Sequence, residues 1–375
     1  IALRKRNHIR PDELPFTTAA GSIYDSGEFS ALLDAALEAA DYKGFAARKA
    51  ESARNGKLRG LGVGQYLEIT APPTNELGEI IFEENGGVTI RTGTLDFGQG
   101  HATTFAQILV SKLGMPFECI RLVQGDSDQI RIGGGTGGSK STMASGAAFI
   151  EASEQVIERG KRAAAHLLEA AVGDIEFAGG AFSVAGTDRA IGVIELAKQL
   201  RGAGNLPEDV PASLDVSHVH KASPSAYPNG CHVAEVEVEP ETGMVAVVRY
   251  TIMSDFGTIV NPMIVEGQSH GGVMQAIGQA LLERVVFDGD GQLMTGSFTD
   301  YAMPRAMEAP PFVLHSRPTP ATTNPLGAKG CGEAGCAGGL PSVVNALVDA
   351  LRERGVSHVN MPATPEVVWR LANGK

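Results

Sequence analysis

Glycine supplies 47 of the 375 residues, about one in eight against roughly 7% in average usage, and it falls in clusters with no fixed period. GLGVGQ, DFGQGH, GGGTGGSKST, EGQSHGG and KGCGEAGCAGG each hold two or more glycines within a few residues. Such clusters interrupt regular elements. The chain must fold with loops that turn through left-handed backbone, or that bring main chain close to a ligand or another element. Around them, 43% hydrophobic and 20% charged residues allow a large core and exclude wholesale disorder. The length suits two or three domains. A net charge of −12 argues against a nucleic-acid groove or an anionic membrane surface. No apolar run reaches the roughly 18 residues of a bilayer span, and no signal-peptide pattern opens the chain, so a soluble, cytoplasmic protein is expected.

The four cysteines, Cys119, Cys231, Cys331 and Cys336, are too few for a disulfide framework in a chain of this length. None forms a CxxC pair, so small buried thiols are expected in place of a structural metal or an iron–sulfur cluster.

The opening IALRKRNHIRPDEL reads as the end of a helix and a turn, as though the chain starts inside a domain. Apolar spacing predicts one helix over residues 29–54, and β-branched runs predict strands over 59–70, 78–86, 87–94 and 118–126. Helices are expected over 102–113 and 142–172, with an exposed connection over 200–228. CHVAEVEVEPETGMVAVVRYTIMSDFG is a hairpin signal, and Pro262 suits the first turn of a helix. An extended stretch over 303–325 and a helix opening near Pro341 complete the chain. Strands and helices interleave without a strict βαβ rhythm, so an α+β class is expected, with mixed sheets and packed helices. The composition shifts divide it into 1–55, 56–230 and 231–375.

GGGTGGSKST resembles a phosphate-binding P-loop, but Lys140 follows Ser139 where the motif needs a glycine. Its amides could still cradle an anion at the start of the following helix. GLGVGQ is weak as a dinucleotide fingerprint because it sits in a strand. DFGQGH and EGQSHGG place Gln99 and Gln268 among glycines, and KGCGEAG does the same for Glu333. An amide offers a donor and an acceptor, which suits the edge of a pterin or a base. The bland alternatives are turn or surface glutamines, and a carboxylate favoured at a helix N-terminus. His218 and His220 in HVH read as solvated histidines of the exposed connection.

Six stretches, in order, carry a resemblance. DFGQGHATTFAQI, GTGGSKSTMASGAA, HVAEVEVEPETG, IVNPMIVEGQSHGGVMQAIGQALLE, KGCGEAGCAGGLPSVVNALVDAL and MPATPEVVWR together resemble the later part of the molybdenum-binding subunit of the xanthine oxidase family. The aerobic carbon monoxide dehydrogenase-like large subunits are the most similar. The resemblance implies a molybdenum–molybdopterin cofactor, in the cytosine dinucleotide form. Gly98, Gln99, Gly100, the run Gly137, Gly138, Ser139, Lys140 and Ser141, and Gln268 match cofactor-contact positions. Phe97 matches a position beside the substrate pocket, and Glu333 matches the active-site carboxylate that acts as base. No side chain need ligate the metal. The implied activity is hydroxylation of an aldehyde, an N-heterocycle or a related small molecule, with water as oxygen source. Electrons would leave to [2Fe–2S] clusters and FAD on partner subunits. A further partner, carrying the front part of the subunit with its active-site loop, is expected; without it the chain would be a non-catalytic cofactor-binding half.

Overall fold

The computed structural model describes residues 1–375. The chain forms two compact units, one from Ile1–Ile69, Ala226–Ala321 and Lys329–Lys375, the other from Thr70–Ser225 and Thr322–Ala328. This replaces the contiguous division at 56 and 231. The reason is pairing: the strand Leu58–Leu67 hydrogen-bonds to the strand Asn229–Val238, so the chain must return to the first unit to complete one sheet.

The first unit centres on a four-stranded sheet in the order Phe312–Ser316, Val245–Asp255, Asn229–Val238, Leu58–Leu67. Two neighbours pair antiparallel and the Phe312–Ser316 strand pairs parallel, which makes it a mixed sheet. The alternation read in HVAEVEV sorts its side chains onto two faces. Ala234, Val236 and Val238 join Val273, Ile277, Val343 and Leu347 of the helices Pro262–Leu281 and Ala334–Leu351. Cys231 and Val233 pack on Leu32, Leu33 and Ala36 of the helix Phe29–Ala39. Glu235 lies on that second face, buried and ion-paired with Arg48 at 2.6 Å and Arg59 at 2.7 Å.

GLGVGQ is a packing device. A Cβ added at Gly60, Gly62 or Gly64 would lie 2.0, 1.9 or 2.5 Å from carbonyl oxygens of the Ala334–Leu351 helix, so only glycine lets that helix lie so close. The helix is long and apolar enough to cross a bilayer by length and composition, which corrects the reading that no run reaches that length. Its Val343, Ala346 and Leu347 are fully buried in the sheet core, so here it is a core helix.

The second unit carries a mixed sheet in the order Val216–His220, Glu76–Phe82, Val88–Arg91, Ile120–Val123. The helices His101–Leu113 and Ser141–Leu167 bury Phe105, Leu109 and Phe149 with Ile80 and Ile90 of the sheet. A small antiparallel sheet, Ile175–Ala178, Ala181–Val184 and Ala190–Gly192, stands beside them. The α+β class with mixed sheets and packed helices is the observed one.

Three local expectations change. The helix over 29–54 is two, Phe29–Ala39 and Phe45–Arg54. Asp41 between them takes φ +49° and its side chain accepts from Gly44 N, so a left-handed residue stops the first helix. The connection over 200–228 contains the strand Val216–His220, paired with Glu76–Phe82. His218 and His220 are accordingly not solvated: both bond Glu151, at 2.6 and 2.9 Å. The last long helix opens at Ala334 and takes Pro341 inside it. Close packing through Gly335, Gly338 and Gly339 outweighs their poor helix propensity.

Candidate functional site

In the second unit, two glycine loops are knitted together. The chain leaves the Val88–Arg91 strand, forms the loop 92–100 and enters the helix His101–Leu113. Asp96 builds that turn: its Oδ1 accepts from the amides of Gly98 and Gln99, each at 2.7 Å, and its Oδ2 from His101 N at 2.9 Å. Burial alone would raise the Asp96 pKa, but these amides and the neighbouring His101 outweigh it and hold the carboxyl below its ordinary value. Gly98 and Gly100 take φ +111° and +74°, which the turn requires. Phe97 stands 71% exposed above it, and its amide donates to Gln99 Oε1.

The second loop, 133–140, feeds the helix Ser141–Leu167. The Thr94 hydroxyl meets the hydroxyls of Thr136 and Ser141, both at 2.6 Å, so the loops share one polar seam. Glu76, fully buried, accepts from Thr92 Oγ1 at 3.1 Å and Gly93 N at 2.7 Å through one carboxylate oxygen. Gly138 takes φ +66°, and a Cβ there would lie 1.6 Å from the Ala71 carbonyl oxygen. Ser139 follows with φ +54°, rare for a residue with a side chain. Lys140 is buried and donates to the Gly134 carbonyl at 3.2 Å, so its ammonium braces the loop from inside. No Walker geometry results.

In the first unit, Gln268 and Glu333 sit on neighbouring helices. Asn261 caps the helix Pro262–Leu281 by accepting from Ile264 N at 3.1 Å. Gln268 lies half-buried six residues into it, between Gly267 and Gly271, whose Cβ positions are open. Glu333 is exposed and immediately precedes the helix Ala334–Leu351, without a capping hydrogen bond from its side chain. The helices meet where a Cβ on Gly335 would be 2.6 Å from Gly272 Cα. Cys336 donates to Gly272 O and Gln275 Oε1, both at 3.2 Å. Burial pushes the Cys331 thiol up to about 12, with the charges of Glu68 and Glu333 adding to it. Burial, then Glu333, raises Cys336 as well. Both stay thiols at neutral pH and are poor nucleophiles.

The structure thus brings Gly98, Gln99 and Gly100 together with the run Gly137–Ser141 in one unit, and Gln268 with Glu333 in the other. Sequence reasoning missed Asp96, Glu76, Thr94 and Thr136. Asp96 carried a signal, since an aspartate two residues before a glycine favours an Asx turn. Glu76 carried none, because its role depends on loops 16 and 58 residues away.

The profile of the molybdopterin cofactor-binding domain matches residues 35–310. The carbon monoxide dehydrogenase large chain of Hydrogenophaga pseudoflava is 33% identical over 98% of this chain and 47% of its own length. The nicotine 6-hydroxylase large subunit of Paenarthrobacter nicotinovorans is 34% identical over 99% of this chain and 47% of its own. Among solved structures, the quinoline 2-oxidoreductase of Pseudomonas putida 86 superposes with a TM-score of 0.91 at 32% identity, covering 100% of this chain and 49% of that one. The chain belongs to the molybdopterin cofactor-binding large subunits of the xanthine oxidase family. It spans about half the length of the curated relatives it matches.

The residues present fit such a cofactor. The amides of Gly135 and Gly137 make no hydrogen bond within the chain, and Cβ positions at Gly98, Gly135 and Gly137 are open to 4 Å. A flat, phosphate-bearing molecule can therefore approach the main chain, and unengaged N–H groups await an anion.

Proposed function

We propose that this chain is the cofactor-gripping, base-bearing part of a molybdenum hydroxylase acting on an aldehyde, an N-heterocycle or a related small molecule. The observation that carries this is Glu333: an exposed carboxylate following Gly332, at the start of the helix seamed to that of Gln268. The cofactor, when bound, would supply two-electron oxidation and delivery of water-derived oxygen to carbon.

The chain's residues do the rest. The amides of Gly135 and Gly137 bind phosphate, and the glycines of 98–100 and 137–138, lacking side chains, let the pterin body approach the main chain beside Ser139 and Ser141. Lys140 keeps the loop shaped, and the Gln99 and Gln268 amides pair with polar ring edges. Phe97 offers an exposed aromatic face to a flat substrate. Glu333 takes a proton on a carboxylate oxygen from the water-derived nucleophile. The cytosine dinucleotide form is our reading for a bacterial-type subunit. We place the remaining parts, namely the stretch matching the other half of the relatives' length, [2Fe–2S] clusters and FAD, on the same assembly. The relatives' names point to carbon monoxide, nicotine and quinoline, and this spread keeps the substrate at the level of a class.

Glu333→Gln keeps shape and hydrogen bonding but removes the base. Turnover by the assembled enzyme falls about 10²–10⁴-fold with molybdenum content unchanged. Normal turnover in a fully loaded variant contradicts the assignment.

A further inference from the structure

We infer that Lys329 and Asp255 form a buried bolt that positions Glu333, an inference resting on the reading of Glu333 as the base. Lys329 Nζ lies 2.7 Å from Asp255 Oδ2, with side chains 0% and 1% exposed. Both partners make further hydrogen bonds. Asp255 Oδ1 accepts from Gly257 N at 2.9 Å and Thr319 N at 2.8 Å, and its Oδ2 also accepts from Asn229 Nδ2 at 3.1 Å. Lys329 Nζ donates to Ser26 O at 3.2 Å, while its own amide donates to Phe256 O at 2.8 Å. Segments around 26, 229, 255 and 319 thus converge on this pair.

A buried ion pair is a poor way to gain stability, because apolar residues of equal volume commonly do as well. What the pair gives is a fixed point: side chain and main chain of Lys329 are both tied to the end of the Val245–Asp255 strand. Glu333 follows four residues later. Of the three residues between, Gly330 and Gly332 have no side chain to anchor them, while Cys331 packs against Tyr66, Phe256 and Ala334. On the far side, the Gly335–Gly272 contact fixes the helix start. Glu333 is held between two anchors, and its exposed carboxylate is aimed by the buried one. Lys329 and Asp255 are positioning residues, acting through Glu333.

The test is a double-mutant cycle in the assembled enzyme. Lys329→Met with Asp255→Asn removes both charges, so neither is left buried alone. It should lower kcat at least about 10-fold, with molybdenum content and KM within about 2-fold of wild type. In a Glu333→Gln background the same pair of changes should lower the residual rate less than about 2-fold. An equal loss in both backgrounds marks a general structural role and overturns the inference, as does full activity in the first. Normal turnover of Glu333→Gln alone would instead sink the base assignment. Should the charge-free pair not fold, hydrogen exchange on the wild-type assembly decides: the Lys329 amide must exchange as slowly as the Asn229–Val238 strand. Exchange at the rate of an open turn overturns the bolt.

Discussion

The tripeptide Asp-Phe-Gly occurs twice, at 96–98 in one unit and 255–257 in the other, and the two copies make the same local turn. In each, the aspartate Oδ1 accepts from the glycine amide two residues on, at 2.7 and 2.9 Å, and the glycine takes positive φ. Their surroundings are opposite. Phe97 is 71% exposed whereas Phe256 is 4% exposed. The other carboxylate oxygen of Asp96 accepts from the start of the helix that follows it, while Asp255 accepts from a lysine and two distant segments. One local code therefore builds an open, exposed loop in one unit and a closed anchor for a neighbouring loop in the other. Local sequence sets the turn, and the partners brought by the fold set its use.

Breaking each copy should separate these uses. Asp255→Ala leaves Lys329 charged and alone in the core, so unfolding free energy should drop by about 3–5 kcal/mol. Urea denaturation reads it, and a loss under about 1 kcal/mol would mean that the pair is not buried as described. Next in size is Gly338→Ala, whose Cβ would lie 2.6 Å from the His232 ring. Overpacking of that kind costs about 1–3 kcal/mol and leaves molybdenum content per folded chain unaltered. Asp96→Ala should cost only about 0.5–2 kcal/mol, the range of a lost helix cap, yet lower cofactor occupancy. Full cofactor content in that variant would make the exposed copy a mere turn.

Acid sensitivity sharpens the same contrast. Burial pushes the His232 imidazole down to about 3, so the folded state holds it neutral where the unfolded chain, near 6.5, takes a proton. Stability is full above about 6.5 and falls as pH drops towards 3, by at most ~1.4 kcal/mol per pH unit from this group. Asp96, lowered in the fold, contributes stability present above its unfolded value near 3.9 and lost as pH falls through its depressed value. Urea midpoints between pH 4 and 7 should therefore slope in the wild type and slope less in His232→Gln, where only His101, also lowered by burial, still contributes. Parallel slopes in wild type and His232→Gln would contradict the buried-neutral account.

Much of this was legible in residues. The hairpin ending at Asp255 followed from its alternation, and the helix at Pro262 from proline at a first turn. Gln99, Gln268 and Glu333 stood out because each directly follows a glycine in a glycine-rich stretch. What sequence hid was tertiary. Gly60, Gly62 and Gly64 look like a nucleotide fingerprint until the helix lying on them is seen. Pro341 looked like a helix start because the packing that tolerates it inside a helix is set by glycines on other elements. Lys329 read as one more loop lysine, since its counter-charge lies 74 residues away.

The measurement closest to the central claim is elemental and pterin analysis of the purified assembly, with its visible spectrum. The account predicts molybdenum and a pterin in stoichiometric amounts with this chain, both diminished together by Gln99→Ala and by Gln268→Ala. A catalytically active assembly free of molybdenum and pterin would contradict it.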